Sequence, residues 1–289
     1  MRNIFKQMRV QQYIKNILVF LPLVFSLNLF NTSSFIRAAL IFLAFCAGSS
    51  AVYIINDIAD APRDRLHPRK KNRPIASGAM SVRFGVVLAA FCFVFAGFTA
   101  FFTHVHAGVL LVAYIAVNML YSFVLKRLAL VDVFCVMTGF LLRIAAGAAS
   151  IGVPVSSWLM LTIMSLSLFM GFGKRRGELN GVPGAAAATR RVLSKYSAAF
   201  LDKAMYFTMT LSAAFYALWA IDGETAAKLG TENLIWTTPL VIAGLLRYAQ
   251  ILESADSDGD PTTVLLTDLP LLCIVPVYAL VVVGIVYFG

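Results

Sequence analysis

Long apolar blocks, nearly free of charge, limit what this chain can fold into more than any other feature. They recur at roughly 14–31, 36–55, 83–103, 107–125, 131–151, 157–173, 202–221, 233–250 and 268–288. A run of about 18 or more such residues reads as a bilayer-crossing helix, since about 20 residues at helical rise match the hydrocarbon thickness. Of 289 residues 60% are hydrophobic and only 13% charged, against about a quarter charged in soluble domains. One water-facing core cannot hide that much apolar surface. The expected fold is therefore all-α, a polytopic membrane protein with nine transmembrane helices. The block at 14–31 has a basic flank and imitates a signal peptide. No small-residue cleavage pattern follows it, and Asn31, Thr32, Ser33 and Ser34 read as a turn between two spans.

Charge sets the orientation. With the N-terminus in the cytoplasm, all but Arg37, Lys228 and Arg143 of the 24 basic residues fall on the cytoplasmic side of these blocks. Positive-inside bias of this size supports an integral protein of a bacterial-type cytoplasmic (inner) membrane, with Gly289 outside. The net charge of +10 is accounted for by topology and by attraction to anionic lipid headgroups, with no nucleic-acid partner. Cys46, Cys92, Cys135 and Cys273 are far apart in apolar runs and form no CxxC pair, so they read as small buried hydrophobes. The three histidines lack ligand spacing, which argues against zinc and haem.

Two cytoplasmic segments, 56–82 and 174–201, are too long and too charged to be connectors. The first begins Asn56-Asp57-Ile58-Ala59-Asp60-Ala61-Pro62-Arg63-Asp64. If span two continues as a helix, Asp57, Asp60 and Asp64 share one face at i, i+3 and i+7. Three carboxylates on a stripe repel one another unless a cation lies among them, and hard oxygen ligands of this kind suit Mg²⁺ bound together with substrate phosphates. An isolated DxxD is more often a solvated helix end. Here it stands at the membrane boundary and runs into His67-Pro68-Arg69-Lys70-Lys71-Asn72-Arg73-Pro74-Ile75. Acid for a metal followed by base for phosphate is what a metal–diphosphate substrate needs. Pro62 removes a backbone donor and is expected to kink the helix before Asp64.

This pattern of Asn56-Asp57-x-x-Asp60-x-x-x-Asp64 followed by Asn72-Arg73-Pro74-Ile75 resembles the first signature of the UbiA-type membrane prenyltransferase superfamily. The resemblance covers essentially the whole chain. It implies a single UbiA-like transmembrane domain over 1–289, with nine helices around a cytoplasm-facing active-site cavity. Aromatic prenyltransferases of quinone biosynthesis carry a second DxxxD motif after span six. This chain reads Gly173-Lys174-Arg175-Arg176-Gly177-Glu178-Leu179 there, similar to the polyprenyl-phosphate phosphoribosyltransferase branch. Gln12-Tyr13-Ile14-Lys15-Asn16, Leu142-Arg143, Arg190, Tyr196 and Leu246-Arg247-Tyr248 are similar to the same branch.

The resemblance implies Mg²⁺-dependent transfer of 5-phosphoribose from phosphoribosyl diphosphate to a polyprenyl phosphate such as decaprenyl phosphate. Asn56, Asp57, Asp60 and Asp64 would hold the metal, while Arg73, Lys70 and Lys126 would neutralise the departing diphosphate. Lys15, Lys174 and Arg175 would serve the acceptor and the 5-phosphate, with Asn16, Arg190 and Tyr196 as further substrate-binding positions. Glu178 is open between a ribose hydroxyl and a second metal. The partners are thus the two substrates and membrane lipids, and a homo-oligomer is compatible with all of this. Joining two phosphorylated substrates gathers negative charge, which extra cations in place of a second acid pair would answer.

Tyr121, at the inner end of span four, divides evenly between a site residue and an interfacial belt aromatic. Arg143 lies about 18 Å along its block at 1.5 Å per residue, and a charge that deep defaults to a paired or substrate-binding role. Residues 253–260 are acidic but lack the glutamate of a calcium-binding loop, and read as a cytoplasmic loop or lid. A quinone-type prenyltransferase is the runner-up. A transporter fits poorly, because transport sites lie at the midplane and these acids cluster at one face.

Overall fold

The computed structural model describes residues 2–66, 70–180, 192–253 and 260–289, all helix or connector with no strand among them. Eight helices are long and apolar enough to cross a membrane. They are α3 (Thr32–Asp64), α4 (Val82–Thr103), α5 (Val105–Phe123), α6 (Val131–Ile151), α7 (Ser157–Asn180), α8 (Ala198–Ile221), α10 (Thr238–Glu253, with its preceding turn Asn233–Thr237) and α12 (Leu269–Phe288). The short helices are α1 (Arg2–Met8), α2 (Leu21–Phe25), α9 (Gly223–Leu229) and α11 (Pro261–Thr267).

The ninth expected span, over 14–31, is not among these eight: there the chain forms a 3-10 helix, Val10–Phe20, that passes into α2 as a shorter apolar segment. The physical reason is the conformation: a 3-10 helix rises about 2.0 Å per residue, so its 11 residues cover about 22 Å. Apolar length is reached by stretching fewer residues, and the pair Val10–Phe25 falls short of a span by residue number alone.

Helix starts follow local chemistry. The side chains of Asn31, Ser81, Ser197 and Asp268 accept from backbone amides of Ser34, Phe84, Phe200 and Leu271, capping α3, α4, α8 and α12. Asn31 does not close a turn of its own but opens α3. At 33 residues α3 is about 50 Å long, well beyond the hydrocarbon thickness. Its last turns carry Asn56 through Asp64 while remaining helical. Pro62 does not end it, since α3 runs on to Asp64.

The chain packs as two compact units. The first comprises residues 1–23, 31–122 and 142–153, the second 24–30, 123–141 and 154–289. In the first, α3 lies along α4 and buries a row of small residues, Ala44, Ala47 and Ala51, with Cys92, Ala96, Ala100, Ala107 and Leu111. Small residues allow the close backbone approach on which helix packing in lipid depends. The same unit sets the 3-10 helix directly on the end of α6, where a Cβ at Gly147 would lie 2.1 Å from the Val19 carbonyl oxygen. In the second unit α7 runs along α8, and Phe169, Phe172, Leu201, Met205, Tyr248 and Leu252 form the core with α10. Phe91, Phe98 and Phe102 of α4 stand 65%, 70% and 77% exposed. A surface of that kind suits lipid rather than water.

Candidate active site

The C-terminal end of α3 gathers the expected acids around arginines. Asp57 is buried and its carboxylate accepts three hydrogen bonds: from Arg9 Nη2 at 2.6 Å, Gln7 Nε2 at 2.9 Å and Arg73 Nη1 at 3.0 Å. Arg73 Nη1 also donates to Asp64 Oδ2 at 2.6 Å, so one guanidinium joins two acids seven residues apart. Asp64, expected to suffer most from Pro62, is a buried member of the cluster. Asn56 Nδ2 donates to half-buried Asp60 at 3.2 Å.

The next three residues hold Arg73 in place. Pro74, Ile75 and Ala76 are buried, with Ile75 packed among Ile54, Ala61, Met80 and Ala89. Arg65 Nε donates to the Ala76 carbonyl. The Asn-Arg-Pro-Ile stretch is thus an anchor that fixes an arginine on the acid face. Lys70 lies in a short 3-10 turn just before it, half-buried.

The N-terminal helix contributes groups that the sequence pattern did not mark. Lys6 Nζ donates to the Asn72 carbonyl at 2.9 Å, Gln7 and Arg9 reach Asp57, and the Arg9 guanidinium sits 4.7 Å from the centre of the Tyr53 ring. Arg9 has a left-handed backbone (φ 53°), uncommon for a side-chain-bearing residue and tolerated where surrounding contacts fix it. Gln7 lies outside any familiar motif, and only its buried contact reveals it.

A divalent cation can be tested against this donor set. Asn56, Asp57, Asp60 and Asp64 offer only oxygens, which suits Mg²⁺. The fully buried Gln7 Oε1 has no hydrogen-bond partner, leaving an acceptor beside Asp57 for a cation to satisfy. Asp57 and Asp64 face arginines and Asp60 faces Asn56, and among the described residues no three acidic, His or Cys side chains close on a common point. The residue types fit the ion, and Arg9 and Arg73 pair with two of the acids.

Deeper in the same unit, Arg143 has its partners. Arg143 Nε donates to Asn16 Oδ1 at 2.7 Å and Nη2 to the Tyr114 hydroxyl at 2.8 Å, with the guanidinium 4.5 Å from the Tyr114 ring centre. Asn16 Nδ2 in turn meets Cys46 Sγ at 3.2 Å. Arg143 and Asn16, both expected at a substrate site, are buried together by this network. Lys15 and Tyr121 are half-buried in the same unit.

The second unit holds the remaining positions. Arg175 is buried, its Nε on Asp132 Oδ2 at 2.7 Å and its Nη1 on Glu178 Oε2 at 2.8 Å. The Tyr196 hydroxyl donates to Asp132 Oδ1 at 2.7 Å and accepts from the Leu130 amide at 2.6 Å. Burial first, and the neighbouring Asp132 after it, push the Tyr196 hydroxyl up to about 12, so it stays protonated as a donor. Lys174 Nζ meets Asp260 Oδ1 at 3.3 Å, and Arg176 pairs with Asp202 at 2.6 Å. Lys126 is half-buried in a 3-10 turn, Leu125–Arg127. Arg190 and most of the acidic loop lie outside the described residues. Asp132 carried a signal: a carboxylate inside the apolar block 131–151 is costly without a partner.

A polytopic helical membrane protein with an acid–arginine cluster at the end of a spanning helix defines the class. The chain belongs to the UbiA prenyltransferase family, whose model matches residues 18–287, and it is a membrane transferase. Decaprenyl-phosphate phosphoribosyltransferase from Corynebacterium glutamicum is 34% identical over 269 residues, covering 91% of this chain and 80% of that one. The protein of the same name from Mycolicibacterium smegmatis is 31% identical over 277 residues, covering 92% and 86%. A UbiA homolog from Archaeoglobus fulgidus bound to DMAPP and Mg²⁺ shares the fold with a TM-score of 0.73 at 17% identity, covering 99% of this chain and 100% of that one.

Proposed function

We propose that this protein transfers 5-phosphoribose from phosphoribosyl diphosphate to a polyprenyl phosphate and releases diphosphate. One observation supports the reading above others: buried Asp57 and Asp64 are gripped by the partly exposed Arg73 and, at Asp57, by Arg9. Such a cluster offers carboxylate oxygens to a cation and guanidinium groups to phosphate oxygens. The likeness to relatives named for this reaction, with Lys174, Arg175 and Glu178 where a second acid motif would stand, favours a phosphosugar donor over a prenyl diphosphate.

In the proposed reaction the C1–O bond to diphosphate breaks, its electron pair leaving with the diphosphate. An oxygen of the lipid phosphate forms the new bond to C1. That oxygen is already anionic, so no side chain has to remove a proton. Mg²⁺, bound through Asn56, Asp57, Asp60 and Asp64, would supply charge neutralisation at the leaving group. Arg73 and Lys70 neutralise the same developing charge, and Lys15 binds the lipid phosphate. Substrates and the N-terminus lie on the cytoplasmic side. In a cysteine-free background, Lys71→Cys and Lys195→Cys should label with an impermeant thiol reagent only in inverted vesicles, and Lys228→Cys only in intact cells.

The deciding experiment incubates purified protein in detergent or nanodiscs with labelled phosphoribosyl diphosphate, decaprenyl phosphate and Mg²⁺. A labelled lipid is the expected product, lost with EDTA and restored by Mg²⁺. A prenyl diphosphate with 4-hydroxybenzoate should give none. Product from that pair alone would replace the reading with the quinone type.

A further inference from the structure

Gln7 stands at the acid cluster with one of its two polar atoms unanswered. It is 0% exposed, its Nε2 donates to Asp57 Oδ2 at 2.9 Å, and its Oε1 is buried with no hydrogen-bond partner among the described residues. The acid fixes which atom is which. Turning the amide over would set its oxygen against a carboxylate oxygen, two acceptors face to face. The chain is pinned on either side of Gln7: Lys6 Nζ donates to the Asn72 carbonyl at 2.9 Å, and Ser50 Oγ lies 2.9 Å from the Met8 carbonyl oxygen. All of these residues belong to the first unit. An acceptor buried without a partner forfeits the hydrogen bond that it made to water in the unfolded chain. Here neither the amide nor the backbone that carries it is free to turn away. Such an atom beside a candidate metal ligand is accounted for by a positively charged group that binds there.

The two oxygens of Asp57 differ in their surroundings. Oδ1 meets two guanidinium groups, Arg9 Nη2 at 2.6 Å and Arg73 Nη1 at 3.0 Å, so a cation on that side would face like charge. Oδ2 meets the neutral amide of Gln7. A phosphate oxygen does not answer Oε1, since both are acceptors; a hard cation does. Resting on the Mg²⁺-dependent reading above, we propose that Gln7 belongs to the cation site, its Oε1 joining Asp57 Oδ2 as an oxygen ligand. The two ends of one amide then have separate tasks. Nε2 aims the Asp57 carboxylate before an ion binds, and Oε1 contributes to holding the ion. A neutral side chain suits this position. A further carboxylate would repel Asp57 in the metal-free protein, whereas an amide adds an oxygen without adding charge.

The test reads metal binding rather than turnover. Purified full-length protein in detergent is titrated with Mn²⁺, with and without inorganic diphosphate, and free Mn²⁺ is followed by electron paramagnetic resonance. Gln7→Met keeps the length of the side chain and loses both polar atoms; Gln7→Glu loses the amide donor but keeps an oxygen. Gln7→Met should weaken Mn²⁺ binding about ten- to hundredfold, the scale for losing a group that supports a metal site. Gln7→Glu should bind at least as tightly as wild type. If only the Nε2 donor mattered, both variants would weaken alike, and that result overturns the proposal. Gln7→Met with wild-type affinity overturns it too, and would leave Oε1 to a buried water. Should Gln7→Met not fold, Gln7→Glu decides alone: affinity no weaker than wild type is expected, and a tenfold loss overturns the proposal. Wild-type protein that binds no Mn²⁺ even with diphosphate present overturns the Mg²⁺ reading itself. Wild-type binding that both variants reproduce removes only the role of Gln7, so the two failures are distinct.

Discussion

The two units each bury an aspartate against an arginine, but they turn the pair in opposite directions. In the first, Asp57 and Asp64 are the buried partners, and Arg9 and Arg73 are about a quarter exposed. In the second, Asp132 and Arg175 are both buried and a glutamate meets solvent. In the first cluster the more exposed members are cationic; in the second the more exposed member is the Glu178 carboxylate. A cationic rim suits phosphate oxygens and an anionic tip suits hydroxyls. The same residue types thus form two pairings that differ in which partner is the more exposed.

The contrast is open to a direct attack through its two aspartates. Asp57→Ala removes a carboxylate whose arginine partners can rehydrate. Folding should survive with a small shift in Tm, while kcat falls by at least about 10²–10³, the scale of losing a preorganised electrostatic group. Asp132→Ala leaves Arg175 buried with one of its acids gone. Truncating one partner of a buried ion pair costs about 3–5 kcal/mol, so this variant should lose stability far more than Asp57→Ala does. Thermal unfolding in detergent and steady-state assays on both variants separate the cases. Equal losses of Tm would show that exposure of the arginines makes no difference.

The sequence was most legible where chemistry and period coincide. Apolar blocks long enough to span gave the helices, and carboxylates at helical spacing with a following Arg73 gave the acid face. Pro62 pointed to a disturbance before Asp64, yet α3 continues through it to Asp64. The 3-10 helix was hidden, since its apolar composition is that of an α-helix and only its rise differs. Asp132 showed as a lone acid in an apolar block but its partner did not, and Gln7 and Arg9 were illegible altogether. Each acts through a partner 43 or more positions away in the chain, as Gln7–Asp57, Arg9–Asp57 and Asp132–Arg175 show. Local spacing holds no trace of such pairs. Arg143 was visible as a buried charge, yet its partners Asn16 and Tyr114 came only from the fold.

A pair of glycines extends the comparison to packing. A Cβ at Gly147 in the first unit would meet backbone, the Val19 carbonyl oxygen at 2.1 Å, while one at Gly171 in the second would meet the Val133 side chain at 2.5 Å. Side chains can rotate away; a carbonyl in a 3-10 helix cannot without moving its neighbours. Overpacking costs about 1–3 kcal/mol, and Gly147→Ala should fall at the upper end, displacing the segment that brings Asn16 to Arg143. Gly171→Ala should fall at the lower end. Tm measurements that reverse this order would mean that the 3-10 helix yields more easily than the α6–α7 packing.

The smallest expected effect belongs to Arg176, the chain neighbour of Arg175. Its partner Asp202 is 42% exposed and the pair lies at the surface of its unit, so solvent already screens most of the attraction. Surface pairs of this kind contribute about 0–1 kcal/mol. Arg176→Ala should therefore leave kcat/KM within about threefold of wild type, a change worth less than 1 kcal/mol, and move Tm little. One position away, Arg175→Ala removes a buried fork between two acids and should cost much more on both measures. The two variants share sequence context, charge change and helix, and they differ in burial and partners. If they behave alike, the charge of this segment matters only in bulk, as topology would require. If only Arg175→Ala is impaired, placement within the buried network is what the segment provides.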